Sequence, residues 1–188
     1  MPETTDDATR SGGLKQRKEV EEQILDATCG GRSIWLPNQK DHDQTLYVDK
    51  RELESTGQEG RTYNVDPDEI QDFRDLEYAD EQFDLVVFDP PHVTKPNGQE
   101  EGLSGYVMKA YGALHAETWQ HDLRRGFEEL FRVLKTGGVL VFKFADNAVD
   151  FGEVLELAPT EPLFGTTSKK NNIETRWFVF YKEDDHAE

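Results

Sequence analysis

Ten residues at 83–92, FDLVVFDPPH, constrain this chain more than any other stretch. Leu85, Val86, Val87 and Phe88 form an unbroken apolar run, the pattern of a strand buried on both faces of a parallel sheet, whereas a strand with one wet face alternates. Asp89 ends the run. Two prolines follow, and because neither can donate to a ladder the strand stops there, leaving main-chain carbonyls at the turn without their usual partners. In open α/β sheets ligands lie just beyond the carboxyl ends of the strands. An acid, free carbonyls and His92 therefore stand where such a ligand would sit.

Further strand ends follow the same pattern. Residues 24–28, ILDAT, read as a strand carrying Asp26 and Thr28, and run directly into Cys29, Gly30, Gly31 and Arg32. A strand that opens into two glycines lets the backbone approach a nucleoside-type ligand, although a bare glycine pair also fits an ordinary β-turn. Residues 45–48, TLYV, read as a second strand closed by Asp49, which comes about twenty residues after the glycines, the spacing at which an acid accepts from ribose hydroxyls. DEIQDFR at 68–74 reads as a short third strand ending at Asp72, with Phe73 next to it. Cys29 lacks a neighbouring histidine or a second cysteine, so it reads as a small residue of the loop rather than a nucleophile.

The remaining segments are less regular. A short helix is expected over 14–23, and a shortened helix or loop over the polar stretch 50–67. The glycine-rich segment 93–116 reads as a lid or acceptor loop with aromatics that either stack on a base or anchor the loop. Trp119, Leu123, Phe127, Leu130, Phe131 and Leu134 fall at helical spacing over 117–134, with Gly137 as the stop. Residues 138–144 read as the fifth strand, placing Lys143 and Phe144 near its carboxyl end and beside the acceptor. A helix over 150–157 follows. A closing antiparallel hairpin uses 161–165 and 174–181, with 168–172 as its polar turn.

At 188 residues the chain has room for one domain. Residues 14–182 are read as that domain, flanked by a flexible acidic tail at 1–13 and an acidic tail at 183–188. One cysteine excludes an intrachain disulfide, and neither a signal peptide nor a membrane-spanning run is visible, so a soluble cytoplasmic protein with no membrane partner is expected. Thirty-nine acids against twenty-one bases leave a net charge of -18. That charge repels nucleic acid at low salt, yet its even spread resembles the surface of halophilic proteins, for which molar salt removes distant repulsion. A halophilic archaeal or viral host cell is the expected setting. No histidine spacing suits zinc, no phosphate-cradling GxxxxGK[ST] occurs, and the GxGxxG of a dinucleotide dehydrogenase is absent.

The cluster at 89–92 suits methylation of an amine conjugated to a ring or carbonyl. Asp89 and a carbonyl near Pro90 would accept its two N–H bonds and favour the pyramidal nitrogen of the transition state. DATCGGR, YVDKR, DFRDLEYADEQFDLVVFDPPH and FEELFRVLKTGGVLVFKF, taken together, resemble the class I S-adenosyl-L-methionine (SAM) methyltransferases, and the DPPH turn resembles that of amino-methyltransferases acting on DNA. His92 departs from the aromatic residue usual there.

The resemblance implies a Rossmann-like α/β fold, a seven-stranded mostly parallel sheet in the order 3-2-1-4-5-7-6 flanked by helices. It implies SAM as cofactor, with Asp26, Thr28, Cys29, Gly30 and Gly31 around the methionine part, Asp49 on the ribose, and Asp72 with Phe73 at the adenine. Asp89, Pro90, Pro91 and His92 would orient the acceptor, Asp89 also bordering the cofactor. The expected acceptor is a DNA or RNA base, DNA adenine N6 first, bound by a monomer or homodimer. Two alternatives stay open: a small molecule or protein amide as acceptor, and a non-catalytic module that binds SAM or a partner.

Overall fold

The computed structural model describes residues 17–56, 62–92, 94–95, 112–146, 149–170 and 173–184. The expected tail at 1–13, most of the lid segment and the end of the C-terminal tail lie outside the described residues. Five parallel strands form the heart of the sheet: β1 (Ile24–Asp26), β2 (Thr45–Asp49), β5 (Glu69–Ile70), β6 (Phe83–Phe88) and β9 (Leu134–Asp146). β11 (Ile173–Tyr181) runs antiparallel to both β9 and the edge strand β10 (Phe164–Lys170). Across the sheet the order is β10-β11-β9-β6-β1-β2-β5. Counted from the β5 edge by place along the chain among these seven, it reads third, second, first, fourth, fifth, seventh, sixth.

β6 lies between β1 and β9, and Val86, Val87 and Phe88 are buried as the continuous apolar run requires. Helix α1 (Trp119–Val133) turns Leu123, Phe127, Leu130 and Val133 into the core, where Phe88, Phe127 and Phe142 meet edge to face or tilted at centroid distances of 5.1–5.6 Å. Asp150 caps the short α2 (Phe151–Leu155) by accepting from the Gly152 amide at 2.7 Å.

Several elements differ from the sequence expectation. Residues 17–23 form no helix; Lys18 instead bridges to Tyr78 and seats its ammonium on Glu69. The third strand is two residues long, Glu69 and Ile70 pairing with Val48 and Asp49 of β2, and stops short of Asp72. Residues 134–137 do not turn out of the sheet but belong to β9 as a wide bulge: Phe83 pairs with Leu134 while Leu85 pairs with Val139. Ser168, expected in the hairpin turn, pairs with Thr175, so β10 runs on to Lys170. Among the described residues α1 and α2 are the only helices, fewer than the flanking layers expected.

After β2 the chain forms an antiparallel ribbon, β3 (Leu53–Thr56) with β4 (Thr62–Val65), separate from the main sheet. A two-residue parallel pair, β7 (Thr94–Lys95) with β8 (Leu114–His115), brackets the undescribed part of the lid segment.

Candidate active site

The ends of three strands, β1, β2 and β6, converge. The Ala27 amide donates to the Val87 carbonyl at 3.0 Å and the Cys29 amide to the Val48 carbonyl at 2.8 Å, so the chain leaving β1 stays tied to both neighbours. The Asp89 amide donates to the Thr28 hydroxyl at 2.9 Å, and the Gly30 amide donates to Asp49 Oδ2 at 3.1 Å. Asp26, Asp49 and Asp89 thus open onto one edge. Their closeness shows electrostatically: burial pushes the Asp26 carboxyl up to about 7, with Asp89 and Asp49 adding to the rise and the Trp35 and Thr28 hydrogen bonds opposing it. Burial likewise pushes the Cys29 thiol up, against any nucleophilic role.

At the DPPH turn Lys143 Nζ stands 2.6 Å from Asp89 Oδ2, and His92 Nε2 stands 3.0 Å from Oδ1 without hydrogen-bond alignment. Burial raises the Asp89 pKa, but His92 and Lys143 outweigh it and hold the carboxyl below its ordinary value. The His92 ring is packed edge-on against Phe144 at 5.1 Å. Lys143 and Phe144 therefore do border this turn. Two buried polar atoms, Asp89 Oδ1 and His92 Nδ1, have no aligned hydrogen bond among the described residues, and a buried polar atom in that state costs about 1–3 kcal/mol unless something fills it.

The expected cofactor contacts are placed less simply. Tyr63 of β4 reaches back over the glycine bend, where its hydroxyl accepts from the Gly31 amide at 3.1 Å. A Cβ on Gly30 or on Gly31 would come within 3.1 Å of Tyr63 atoms, and one on Gly31 within 3.2 Å of the Asn64 carbonyl oxygen. The close approach that the missing side chains permit is used here by the chain itself. Asp49 is buried under Arg51, whose backbone amide and Nε both donate to Oδ1 at 3.0 Å. Asp72 accepts from Arg74 Nε at 2.8 Å, which lowers its pKa against the effect of burial. Phe73 is turned into the core, 5.1 Å from Phe88 and packed on Gly126, rather than presented to an adenine ring. In identity and placement the acids and glycines suit a nucleoside cofactor; the space over the bend does not, while Tyr63 fills it.

Arg32 takes the place of a further glycine by adopting a left-handed backbone, φ 52°. Its guanidinium lies 3.8 Å over the Tyr47 ring and donates to the carbonyls of Lys40 and Asp66. That strain is held in place by contacts on both sides.

Three participants were invisible to the sequence reading. Trp35, whose Nε1 donates to Asp26 Oδ2 at 2.7 Å, and Tyr63 are brought in by tertiary packing, with no local signal. Arg51 had one. Asp49/Arg51, Asp72/Arg74 and Glu174/Arg176 are each an acid with an arginine two residues on, and all three pair; only the last lies within a strand, where such positions share a side.

No family model matches this chain, and no curated protein is close enough to count as a relative. Solved structures do match. The [4+2]-cyclase SpnF is 13% identical, with a TM-score of 0.50 over 88% of this chain and 76% of that one. A SAM-dependent methyltransferase from Methanosarcina mazei is 14% identical with a TM-score of 0.49, covering 90% and 95% of the two chains. The PH0226 protein from Pyrococcus horikoshii OT3 is 17% identical at 0.48, over 91% and 84%. At these identities the likeness is one of fold alone.

Proposed function

We propose that this chain is a SAM-dependent methyltransferase acting on an amino nitrogen, with a nucleic-acid base, DNA adenine N6 first, as the acceptor class. The observation that carries the reading is the DPPH turn itself, where buried Asp89 Oδ1, 3.0 Å from His92 Nε2, and His92 Nδ1 have no aligned hydrogen bond among the described residues, on the strand edge where Asp26 and Asp49 also gather. An exocyclic amine has two N–H donors to offer such a place. His92 and Lys143 together hold the Asp89 carboxyl below its ordinary pKa, and an ionised carboxylate accepting from the amine favours the pyramidal nitrogen that attacks. SAM, when bound, supplies an electrophilic methyl on its sulfonium; Asp26, Thr28, Cys29, Gly30 and Gly31 would border it, with Asp49 and Asp72 on the nucleoside part and Asp89 towards the acceptor.

His92 cannot be a freely stacking platform while it is pinned between Asp89 and Phe144. Its part is to border the acceptor edge-on, with Pro90 and Pro91 ending the strand beneath. A duplex base would have to be flipped out to reach this turn.

Calorimetric titration with SAM at low and high salt, followed by tritiated-methyl transfer to DNA, RNA and small-molecule pools, tests the reading. Asp89→Ala is expected to keep SAM affinity within a few-fold and to lower transfer on the order of 10² or more. A variant that transfers methyl as well as wild type would exclude Asp89 from the chemistry. The second reading, a partner-binding module without catalysis, is favoured by one observation: Tyr63, Arg51 and Arg74 already stand on the cofactor contacts. SAM binding at neither salt concentration would leave only that reading.

A further inference from the structure

We infer that Tyr63 is a displaceable stopper over the glycine bend, a side chain of the protein that must swing aside before a nucleoside ligand can enter. The inference rests on the methyltransferase reading and resolves its one steric conflict. Two observations carry it. Tyr63 makes the contact that a ligand would need: its hydroxyl takes the Gly31 amide, and its ring edge sits within 3.1 Å of where a Gly31 side chain would begin. Among the described residues the ribbon that bears it, β3 with β4, pairs with no strand of the main sheet, and an isolated two-stranded ribbon is held only marginally.

The base of the ribbon, by contrast, is anchored. Val65 is fully buried, the Asn64 carbonyl lies against Gly31, and Arg32 donates to the Asp66 carbonyl at 3.0 Å and reaches Asp68 at 3.4 Å. The moving part is therefore the Tyr63 side chain, turning on a fixed foot. Moving it breaks the hydrogen bond between the two and leaves the Gly31 amide to donate to a ligand oxygen in place of the phenol. Gly30, at φ +49°, keeps its left-handed turn either way.

A protein that binds only from its open form shows an apparent affinity reduced by the fraction open. Calorimetry of S-adenosylhomocysteine and SAM binding to the full chain should find Tyr63→Ala about tenfold tighter than wild type, which is about 1.4 kcal/mol. Tyr63→Phe, which keeps the ring and loses only the hydroxyl, should gain about two- to threefold. Independently of any ligand, the Gly31 amide should exchange hydrogen slowly in wild type and several-fold faster in Tyr63→Phe. That conservative variant carries the test alone if Tyr63→Ala does not fold. Binding that is unchanged or weaker in both variants, while wild type binds, overturns the stopper and leaves the methyltransferase reading standing. No binding by any of the three proteins overturns both.

Discussion

Asp26 is the residue whose ionisation this fold opposes most clearly among the acids at the crevice. Its folded pKa of about 7 stands above the unfolded value of 3.8, so between those limits the folded state holds a proton that the unfolded chain has released. The stability carried by the protonated carboxyl is complete below about pH 4 and is lost as the pH climbs through about 7. Asp26→Asn should therefore flatten the fall in stability across that window and gain about 2 kcal/mol at pH 8, after allowance for the loss of one of the two hydrogen bonds from Trp35 and Thr28. Urea unfolding at pH 5 and pH 8 measures both; a variant as pH-dependent as wild type would place the titration elsewhere. Trp35 donates directly to this carboxyl, so its fluorescence should titrate over the same range in wild type and not in Asp26→Asn.

Among the elements, α1 comes especially close to the core beneath it at Gly126. A Cβ on Gly126 would lie 2.6 Å from two atoms of the Phe73 ring and 3.4 Å from Phe88, both fixed in the core. Gly126→Ala is expected to cost about 1–3 kcal/mol by overpacking, read as a lower unfolding midpoint. An unchanged midpoint would mean that Phe73 has room to move, and with it that the ring can still reach the crevice. The ribbon after β2 shows why a periodicity reading is weakest between strands: 50–67 has few apolar residues to set a period, and Tyr63 finds its partner 32 residues back, on the glycine bend. The first helix failed for a similar reason. Lys18 is recruited by Glu69 and the Tyr78 backbone, and those long-range contacts outweigh the weak local preference of 17–23.

At the scale of the whole molecule the net charge of -18 dominates solution behaviour. Raising salt from about 0.1 M to 1 M shortens the Debye length from about 10 Å to about 3 Å, so the unfolding midpoint should climb as self-repulsion is screened. A midpoint that falls instead would show that short ion pairs, such as Arg132 with Glu129 and Asp80, outweigh the excess of acids. No described helix is long and apolar enough to span a membrane. The mostly parallel sheet, the α1 core face and the strand ends that carry Asp26, Asp49 and Asp89 were legible in the order of residues, because apolar runs, helical spacing and proline stops are local and each strand end carries its acid with it. What those acids touch was set by packing between distant segments. Lys143 on Asp89, Trp35 on Asp26 and Tyr63 over the glycines are contacts between segments far apart in the chain, and no spacing rule records which side chain will fill a space that another segment leaves.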